Sequence, residues 1–474
     1  MDASPRPRLA SATQPVEQVL YEIRRKIYPR AVTGKFAAWR WFFVWATQLV
    51  FYGLPWLEWN GRQAVLFDLV NRKFYIFGLV FWPQDVIYLA VLLIISAYSL
   101  FLFTAVAGRL WCGYACPQTV YTEIFMWIER AIEGDRLQRM KLDRSPLSPR
   151  KIGLKAAKHG AWIAVALWTG FTFVGYFTPI TTLRDEVLGF ATGPWETFWI
   201  AFYGFATYGN AGWMREQVCK YMCPYARFQS VMFDNDTLII SYDRSRGEPR
   251  GARARNVDYK AKGLGDCVDC GICVQVCPTG IDIRDGLQYE CIGCAACIDG
   301  CDQVMDKMGY PRGLIRYATE SGLRNRYSVA QMLRRVFRPR VLIYTAVLWV
   351  IIGLAAFSLV HRTPIKVDVI RDRVTTARPD DPVVENVYRL QIMNASETPR
   401  SVRITVSGLE GLRLESERQP IDIGPATQRL VAVRLSVDRA HVGPGSNTVV
   451  FTVATEADPA ENIVIEEKAA FVVP

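Results

Sequence analysis

The sequence predicts a polytopic α-helical membrane protein with a cysteine-rich cytoplasmic domain and a C-terminal β-sandwich. Three observations predict this fold class. Five segments are apolar over the roughly 20 residues that a helix needs to cross a bilayer. Twelve cysteines in a chain of 474 residues fall into regularly spaced groups outside those segments. Residues 365–474 alternate between apolar and polar positions in short runs, which is typical of strands.

The five predicted transmembrane helices account for most of the apolar residues. They are Trp41–Trp59, Val86–Ala107, Ala161–Ile180, Phe198–Trp213 and Val341–Val360. The fourth reaches spanning length only with its flanks. The stretch Ala64–Trp82 is also apolar, but charged residues interrupt it, and it is expected to be interfacial or re-entrant. A mean hydropathy of +0.09 fits a chain that is part membrane protein and part soluble protein.

Lysine and arginine predict the orientation, because they concentrate in cytoplasmic loops. Residues 1–40 carry eight of them and residues 108–160 carry ten, whereas residues 60–85 carry three and residues 181–194 carry one. These counts place the N-terminus, the 108–160 loop and residues 214–340 in the cytoplasm. Residues 365–474 are then periplasmic, which predicts a multi-pass protein of the bacterial inner membrane.

The net charge of +11 belongs to the membrane part of the chain. Residues 365–474 carry 13 Lys and Arg against 16 Asp and Glu, and the rest carries 43 against 29. The positive-inside rule accounts for this excess, and no nucleic-acid-binding motif is present. No nucleic acid partner is therefore predicted.

Five parts follow in chain order. They are a cytoplasmic N-terminal segment (1–40), a four-helix transmembrane part (41–214), a cytoplasmic cysteine-rich domain (215–340), a fifth transmembrane helix (341–360) and a periplasmic β-domain (365–474). In the last part, strands are predicted at Asn386–Met393, Ser401–Ser407, Gln428–Val437, Asn447–Ala454 and Ile463–Val473. About seven strands in this length favour an immunoglobulin-like β-sandwich, here without a disulfide.

Eight cysteines form a repeated motif in the cytoplasmic domain. The spacing C-x2-C-x2-C-x3-C occurs twice and is that of bacterial two-cluster ferredoxins, in which the fourth cysteine binds the other cluster. This predicts a 2[4Fe–4S] ferredoxin-like domain with two ligand sets. The first cysteine set is Cys267, Cys270, Cys273 and Cys301, and the second cysteine set is Cys291, Cys294, Cys297 and Cys277. Asp302 replaces the proline that would follow the last cysteine. Zinc sites need two C-x2-C pairs rather than triplets.

The remaining four cysteines form two CxxxCP motifs, Cys112–Pro117 and Cys219–Pro224. Each follows a predicted span, and the offset between them suggests a duplicated helical hairpin. Residues i and i+4 share a helix face, so each motif is expected to present two thiols together. Soft thiolates favour Cu(I), zinc or iron–sulfur. Copper held by Cys112, Cys116, Cys219 and Cys223 is the leading interpretation, and a third cluster, zinc, or cysteines that only pack helices stay open.

Two cofactor classes are not predicted. The only histidines are His159, His361 and His441, which do not supply a pair at matched membrane depth for haem. No glycine-rich phosphate-binding motif follows a strand, so no nucleotide site is predicted.

The combination of these features resembles one family, the cytochrome c oxidase accessory proteins (CcoG, RdxA or FixG). The stretches that carry the resemblance are Trp111–Gln118, Phe233–Tyr242, Cys267–Thr279, Cys291–Tyr317 and Asn386–Asn394. The resemblance covers about residues 20–474. It implies reduction of Cu(II) to Cu(I) during assembly of cbb-type cytochrome c oxidase, with a copper chaperone or an oxidase subunit as partner.

Three functions are therefore carried forward. The first is a membrane cupric reductase that receives electrons from an unidentified cytoplasmic donor and reduces copper at Cys112, Cys116, Cys219 and Cys223. The second is a polyferredoxin subunit that passes electrons between quinol and a periplasmic reductase. The third is a non-catalytic assembly scaffold. A homodimer is compatible with each of them.

Overall fold

The computed structural model describes residues 26–372, 382–456 and 463–473. Before the cysteine-rich domain the helices are α1 Lys35–Gly53, α2 Val86–Ala107, α3 Leu110–Tyr114, α4 Pro117–Glu133, α5 Arg136–Arg144, α6 Pro149–Val174, α7 Ile180–Leu188, α8 Pro194–Thr207 and α9 Pro224–Met232. The later helices are α10 Arg244–Gly247, α11 Ile272–Gln275, α12 Ala296–Met308, α13 Glu320–Arg324, α14 Val329–Arg334 and α15 Pro339–Val360. Two π-helical turns, Tyr208–Met214 and Val218–Met222, lie between α8 and α9.

Two of the described helices are long and apolar enough to cross a membrane. They are Pro83–Ala107, which contains α2, and Pro339–Val360, which is α15. The two pack together, with Tyr98 and Tyr344 rings 6.1 Å apart. The other predicted spans fall mainly in α1, α6 and α8, which are less uniformly apolar, but α1 ends at Gly53 and Glu58–Trp59 are a strand, so the predicted helix Trp41–Trp59 is too long at its C-terminal end. Five transmembrane helices therefore remain a prediction.

The predicted cytoplasmic loop 108–160 is a folded unit. Phe125 of α4 stacks on Trp162 of α6 with ring centroids 5.3 Å apart. Below them, buried Glu129 pairs with Arg139 and Arg215 at 3.0 Å each and with Lys158 at 3.6 Å. Burial raises the pKa of Glu129, but these three cations outweigh it and hold the pKa below its ordinary value. A charge cluster thus fixes α4, α5 and α6 together.

Residues 64–82 form a small β-sheet, so the expected re-entrant segment is not present, and the expected position at the membrane interface stays a prediction. Strands β1 Glu58–Trp59 and β2 Arg62–Gln63 pair first, and β3 Val65–Asp68, β4 Lys73–Ile76 and β5 Leu79–Phe81 then form an antiparallel meander. The charges that interrupt the apolar pattern lie at the turns. Asp68 closes the first turn by accepting a 2.8 Å hydrogen bond from the backbone amide of Asn71.

The C-terminal domain is a sandwich of two four-stranded sheets. Its strands are β8 Ile365–Arg371, β9 Val383–Asn394, β10 Arg400–Ser407, β11 Arg413–Glu415, β12 Ile421–Ile423, β13 Gln428–Asp438, β14 Gly445–Thr455 and β15 Val464–Val473. The sheet orders are β11-β13-β9-β8 and β12-β10-β14-β15. Tyr388 and Phe451 meet between the sheets with centroids 5.1 Å apart. All five predicted strands are present, which confirms the sandwich.

The sandwich contacts the β1–β5 sheet. Arg62 pairs with Glu397 at 2.5 Å, and Lys73 Nζ donates to the carbonyl of Ala426 at 3.1 Å. At the start of α2, buried Asp85 pairs with Arg362 at 3.2 Å and with Lys366. These contacts place the β1–β5 sheet and the sandwich together, beside the N-terminal end of α2 and the C-terminal end of α15.

The cysteine-rich domain is framed by a pair of strands and docks on the first helix. Strands β6 Ile239–Tyr242 and β7 Ile315–Ala318 pair antiparallel, and they come from two segments to which the sequence assigns no role. Asp299 of α12 accepts hydrogen bonds from the backbone amides of Phe36 and Ala37, at 3.2 and 2.7 Å. It therefore caps the N-terminus of α1, where the helix has unpaired amides.

Candidate functional site

The first cysteine set is gathered in the core of the cysteine-rich domain. Cys267, Cys273 and Cys301 are buried there together, and Cys270 is exposed. The thiols of Cys273, Cys267 and Cys270 all act on Cys301, although Cys301 belongs to the second motif. Burial is the largest cause, and together with these neighbouring thiols it raises the pKa of Cys301 to about 12.

The second cysteine set is more deeply enclosed. Burial, with a smaller contribution from the thiols of Cys294 and Cys277, raises the pKa of Cys291 to about 12. The pKa of Cys297 is raised well above its ordinary value, by burial and then by Cys294, Cys291, Cys277 and, from the first set, Cys273. The other three cysteines of the second set thus all act on Cys297, and one cysteine of the first set acts on it as well. Ligation by these eight cysteines stays a prediction.

The local backbone explains how each motif wraps a cofactor. The residues on either side of the middle cysteine have positive φ in both motifs, and a short helix starts just after them. In the first motif they are Asp269 (50°) and Gly271 (64°), and in the second Gly293 (70°) and Ala295 (59°). This turn places the three cysteines of each motif along one short, tightly curved stretch of backbone. Cys301 lies within α12, where Asp302 accepts a 2.9 Å hydrogen bond from the amide of Gly313, so the departure from proline does not disturb the fold.

The donor sets fit two iron–sulfur clusters. Each contains four sulfurs and no histidine or carboxylate, which is the ligand chemistry of [4Fe–4S]. Thiols at this depth stay protonated unless positive charge is bound beside them, which iron supplies.

The two CxxxCP motifs share one local structure, which differs from the expected continuous helix. Cys112 lies in α3 and Cys219 in the second π-helical turn, whereas Cys116 and Cys223 are the caps of α4 and α9. Each helix breaks before the second cysteine, because the following proline begins a new helix. In each motif the amide of the second cysteine donates to the carbonyl five residues earlier, at 3.1 Å from Cys116 to Trp111 and 2.8 Å from Cys223 to Val218.

The four CxxxCP thiols are close enough to act on one another. Burial first, and the thiols of Cys116 and Cys223 in addition, raise the pKa of Cys112 to about 11 and that of Cys219 to about 12. Arg109 lowers the pKa of both Cys112 and Cys219, but burial outweighs this effect.

Gln229 is a neighbour of this site that the sequence does not reveal. It is fully buried on α9, and its Nε2 donates to Cys112 Sγ at 3.3 Å. This hydrogen bond lowers the pKa of Cys112 against the effect of burial. A single glutamine on a short helix carries no spacing signal, so only the fold brings it to the motif.

The CxxxCP thiols lie directly against the second cysteine set. Cys112 and Cys219 pack in one cluster with Cys294, Cys297 and Ile292. The backbone approaches most closely at Gly113, where an added Cβ would lie 2.7 Å from the carbonyl oxygen of Gly293. The two cysteine systems, far apart in the sequence, are thus neighbours in the fold.

As they stand, the thiols are not closed around single ions. Within the described residues, no group of three or more His, Cys, Asp or Glu side chains is arranged to hold one metal ion.

Comparison with known proteins assigns the parts of the chain. Residues 214–320 match a family described as a 4Fe–4S dicluster domain, and residues 89–134, with the first CxxxCP motif, match a 4Fe–4S binding domain. Residues 355–474 match the IG-like fold at the C-terminal of FixG. The chain is 40% identical to the nitrogen fixation protein FixG of Rhizobium meliloti, over 82% of this chain and 80% of that one. The chain belongs to the FixG/RdxA family.

Two further relatives place the family among iron–sulfur proteins. Protein RdxA of Cereibacter sphaeroides is 38% identical over 89% of this chain and 90% of its own length. The ferredoxin-type protein NapH of Escherichia coli is 22% identical over 54% of this chain and 85% of its own. This FixG/RdxA-type chain is accordingly a membrane-associated iron–sulfur electron-transfer protein with an immunoglobulin-like C-terminal domain.

Proposed function

We propose that this protein is a membrane cupric reductase, in which the four CxxxCP thiols bind copper while Cu(II) is reduced to Cu(I). The observation that supports this proposal is that Cys112 and Cys219 pack against the buried cluster that contains Cys294, as Cys297 does. This packing brings a soft thiol site next to the predicted ligands of an iron–sulfur cluster.

The chemistry of the thiols suits copper in its lower oxidation state. The step is Cu²⁺ + e⁻ → Cu⁺, and thiolate ligands favour the product because Cu(I) is the softer ion. When bound, the clusters supply electrons singly and at low potential, from a low-potential cytoplasmic donor. Gln229 donates to Cys112, and Arg109 lowers the pKa of Cys112 and Cys219, so both residues ease the loss of protons that metal binding requires.

The proposed setting is the bacterial inner membrane, with assembly of cbb-type cytochrome c oxidase as the destination of the copper. The lysine and arginine distribution supports a cytoplasmic position for the cysteines and a periplasmic sandwich. The contacts of Arg62 and Lys73 with the sandwich agree with this, since both residues precede α2 in a segment predicted to be periplasmic. A copper chaperone or an oxidase subunit is the proposed partner of the sandwich.

A copper-reduction assay tests the proposal. Full-length protein, purified without oxygen and reduced with dithionite, is freed of excess reductant and given Cu(II), and Cu(I) is measured with a chelating dye. A variant with serine at Cys112, Cys116, Cys219 and Cys223 is expected to lose most of the rate while keeping about eight iron per chain. Equal rates in this variant and the wild type would refute the copper site.

A second candidate function is exchange of electrons with a membrane quinol. Similarity to NapH supports it, as does a cavity lined by both Cys219 and Cys294 with Trp41 and Trp127 on its wall. The test is anaerobic mixing of the reduced protein with a soluble quinone. Rapid bleaching of the clusters that the four-serine variant retains would favour this function over copper reduction.

A further inference from the structure

Two buried arginines beside the second cysteine set lack a carboxylate partner. Arg40 and Arg109 are only 7% and 6% exposed, and neither forms an ion pair within the described part of the chain. The other buried basic residues of this region, Arg139, Lys158 and Arg215, all pair with Glu129. An unpaired buried charge is costly, so a counter-charge is expected close to each of the two arginines.

Their hydrogen bonds identify where that counter-charge lies. Arg40 Nη1 donates to the carbonyl of Cys294 at 3.0 Å, and Arg109 Nη1 donates to the carbonyl of Cys291 at 3.3 Å. The Nε of each arginine is buried without a partner. Both guanidinium groups therefore contact the backbone of predicted ligands of one cluster, and Arg109 also donates to the carbonyls of Tyr289 and Ala226. Glu123 and Asp299 act on Arg40 only from beyond ion-pair distance.

The first cysteine set has a different charge environment. Arg284 acts on Cys273, but it pairs with Asp269 at 2.5 Å and with Asp282 at 2.6 Å. Asp302 acts on Cys301 in addition. The arginine of the first set thus has two carboxylates within ion-pair distance, whereas Arg40 and Arg109 have none among the described residues, and Glu123 acts on Arg40 and Cys294 only from further away.

We propose that Arg40 and Arg109 hold the reduction potential of the second cluster above that of the first. A [4Fe–4S] cluster bound by thiolates gains one negative charge on reduction, and nearby cations stabilise that charge. Enclosure of the second set works in the opposite direction, because it keeps water from the reduced cluster. The two arginines outweigh this effect because they are themselves buried, where their attraction is little screened.

The order of potentials gives the electron a direction. One electron leaves the site formed by Cys267, Cys270, Cys273 and Cys301 and one enters the site formed by Cys277, Cys291, Cys294 and Cys297, with no bond broken and no proton moved. Arg109 also acts on Cys112 and Cys219, so it serves both redox sites. That the electron continues to copper rests on the proposed function, but the order of potentials does not.

A potentiometric titration of the full-length protein, followed by EPR of the reduced clusters, tests this inference without copper. Cys270→Ser, which alters the exposed ligand of the first set, identifies the signal of each cluster. The wild type is expected to show two potentials, the higher one at the second cluster. Arg40→Gln and Arg109→Gln are each expected to lower the higher potential by about 59 mV, a tenfold change for a one-electron couple.

Two variants separate charge from structure. Arg40→Lys keeps the charge and is expected to restore most of the potential. Arg312→Gln removes an exposed arginine that pairs with Asp306 on α12, and it is expected to change neither potential. Equal wild-type potentials, a higher potential at the first cluster, or Gln variants with full iron and unshifted potentials would each overturn the inference. If Arg40→Gln loses iron, the order of the two cluster potentials in the wild type still tests the inference.

Discussion

Gly113 of the first CxxxCP motif lies against Gly293 of the second cysteine set, and neither position has room for a side chain. A Cβ on Gly113 would lie 2.7 Å from the carbonyl oxygen of Gly293, and one on Gly293 would lie 2.8 Å from the carbonyl oxygen of Arg109. Gly293 also has a φ of 70°, which favours glycine. This contact joins the iron–sulfur domain to the membrane part.

Gly113→Ala is expected to loosen this joint. The methyl group forces two backbone segments apart, and overpacking of this kind costs about 1–3 kcal/mol. Faster hydrogen exchange in α3 and around Gly293, with unchanged iron content, is the expected result. Gly153→Ala on α6 is the matched control, since nothing lies within 4 Å of its added Cβ. Equal exchange in both variants would show that the contact is not tight.

Gln229→Leu is expected to make Cys112 less reactive. The glutamine donates to Cys112 Sγ at 3.3 Å and lowers a pKa that stands at about 11, so its loss raises that pKa further. At a fixed pH below 11, the thiolate fraction and the alkylation rate of metal-free protein should fall about fivefold, which corresponds to a hydrogen bond of about 1 kcal/mol. Gln391→Leu in the sandwich serves as the control. An unchanged rate in Gln229→Leu would mean that the hydrogen bond does not tune the thiol.

Asp299→Ala is expected to fray the start of α1. The carboxylate accepts from the amides of Phe36 and Ala37, and loss of such a cap costs about 1 kcal/mol. Asp299→Asn should keep most of the cap, because asparagine is also a good capping residue. Asp306→Ala, an exposed position on the same helix α12, is the control. Thermal unfolding measures the difference, and equal destabilisation by Ala at both positions would contradict a capping role.

Glu129 predicts a pH-dependent stability. Its pKa is lowered in the folded state, so its contribution is present above the unfolded pKa of about 4.3 and is lost as the pH falls through the lower folded pKa. Urea unfolding at pH 7 and at successively lower pH should show this loss. Glu129→Gln leaves Arg139, Lys158 and Arg215 buried without their shared partner, which costs about 3–5 kcal/mol at neutral pH. If Glu129→Gln lost as much stability on acidification as the wild type does, Glu129 would not be the group responsible for the pH dependence.

Sequence patterns predicted the turns, strands and helices that are determined by residues close together in the sequence. Cysteine spacing predicts how the eight ferredoxin-type cysteines divide into two ligand sets, and the structure places each triplet on one tight turn. Alternation located the strands of the sandwich, for example Asn386–Met393 within β9, since one buried face imposes a period of two. The α2 and α15 helices were clear from uniform apolarity.

Features that depend on distant partners could not be predicted. Gln229 lies 117 positions from Cys112, and Arg40 lies 254 positions from Cys294, so no local pattern connects them. The strands of the β3–β5 meander are four residues or fewer, too short for alternation to stand out from an apolar background. In the CxxxCP motifs, the i+4 spacing suggested a single helix, but the proline after each second cysteine ends it.

Asp85 is expected to hold the sandwich to the membrane part. It is buried at the start of α2 and pairs with Arg362 at 3.2 Å and with Lys366, the two basic residues that lead from α15 into the sandwich. Asp85→Asn leaves Arg362 buried without a counter-charge, at a cost of about 3–5 kcal/mol. Limited proteolysis between residues 360 and 365 should become faster, because the connection is no longer fixed. Asp185→Asn, an exposed carboxylate on α7, should leave the cleavage rate unchanged, and equal rates in the two variants would show that Asp85 does not fix the connection.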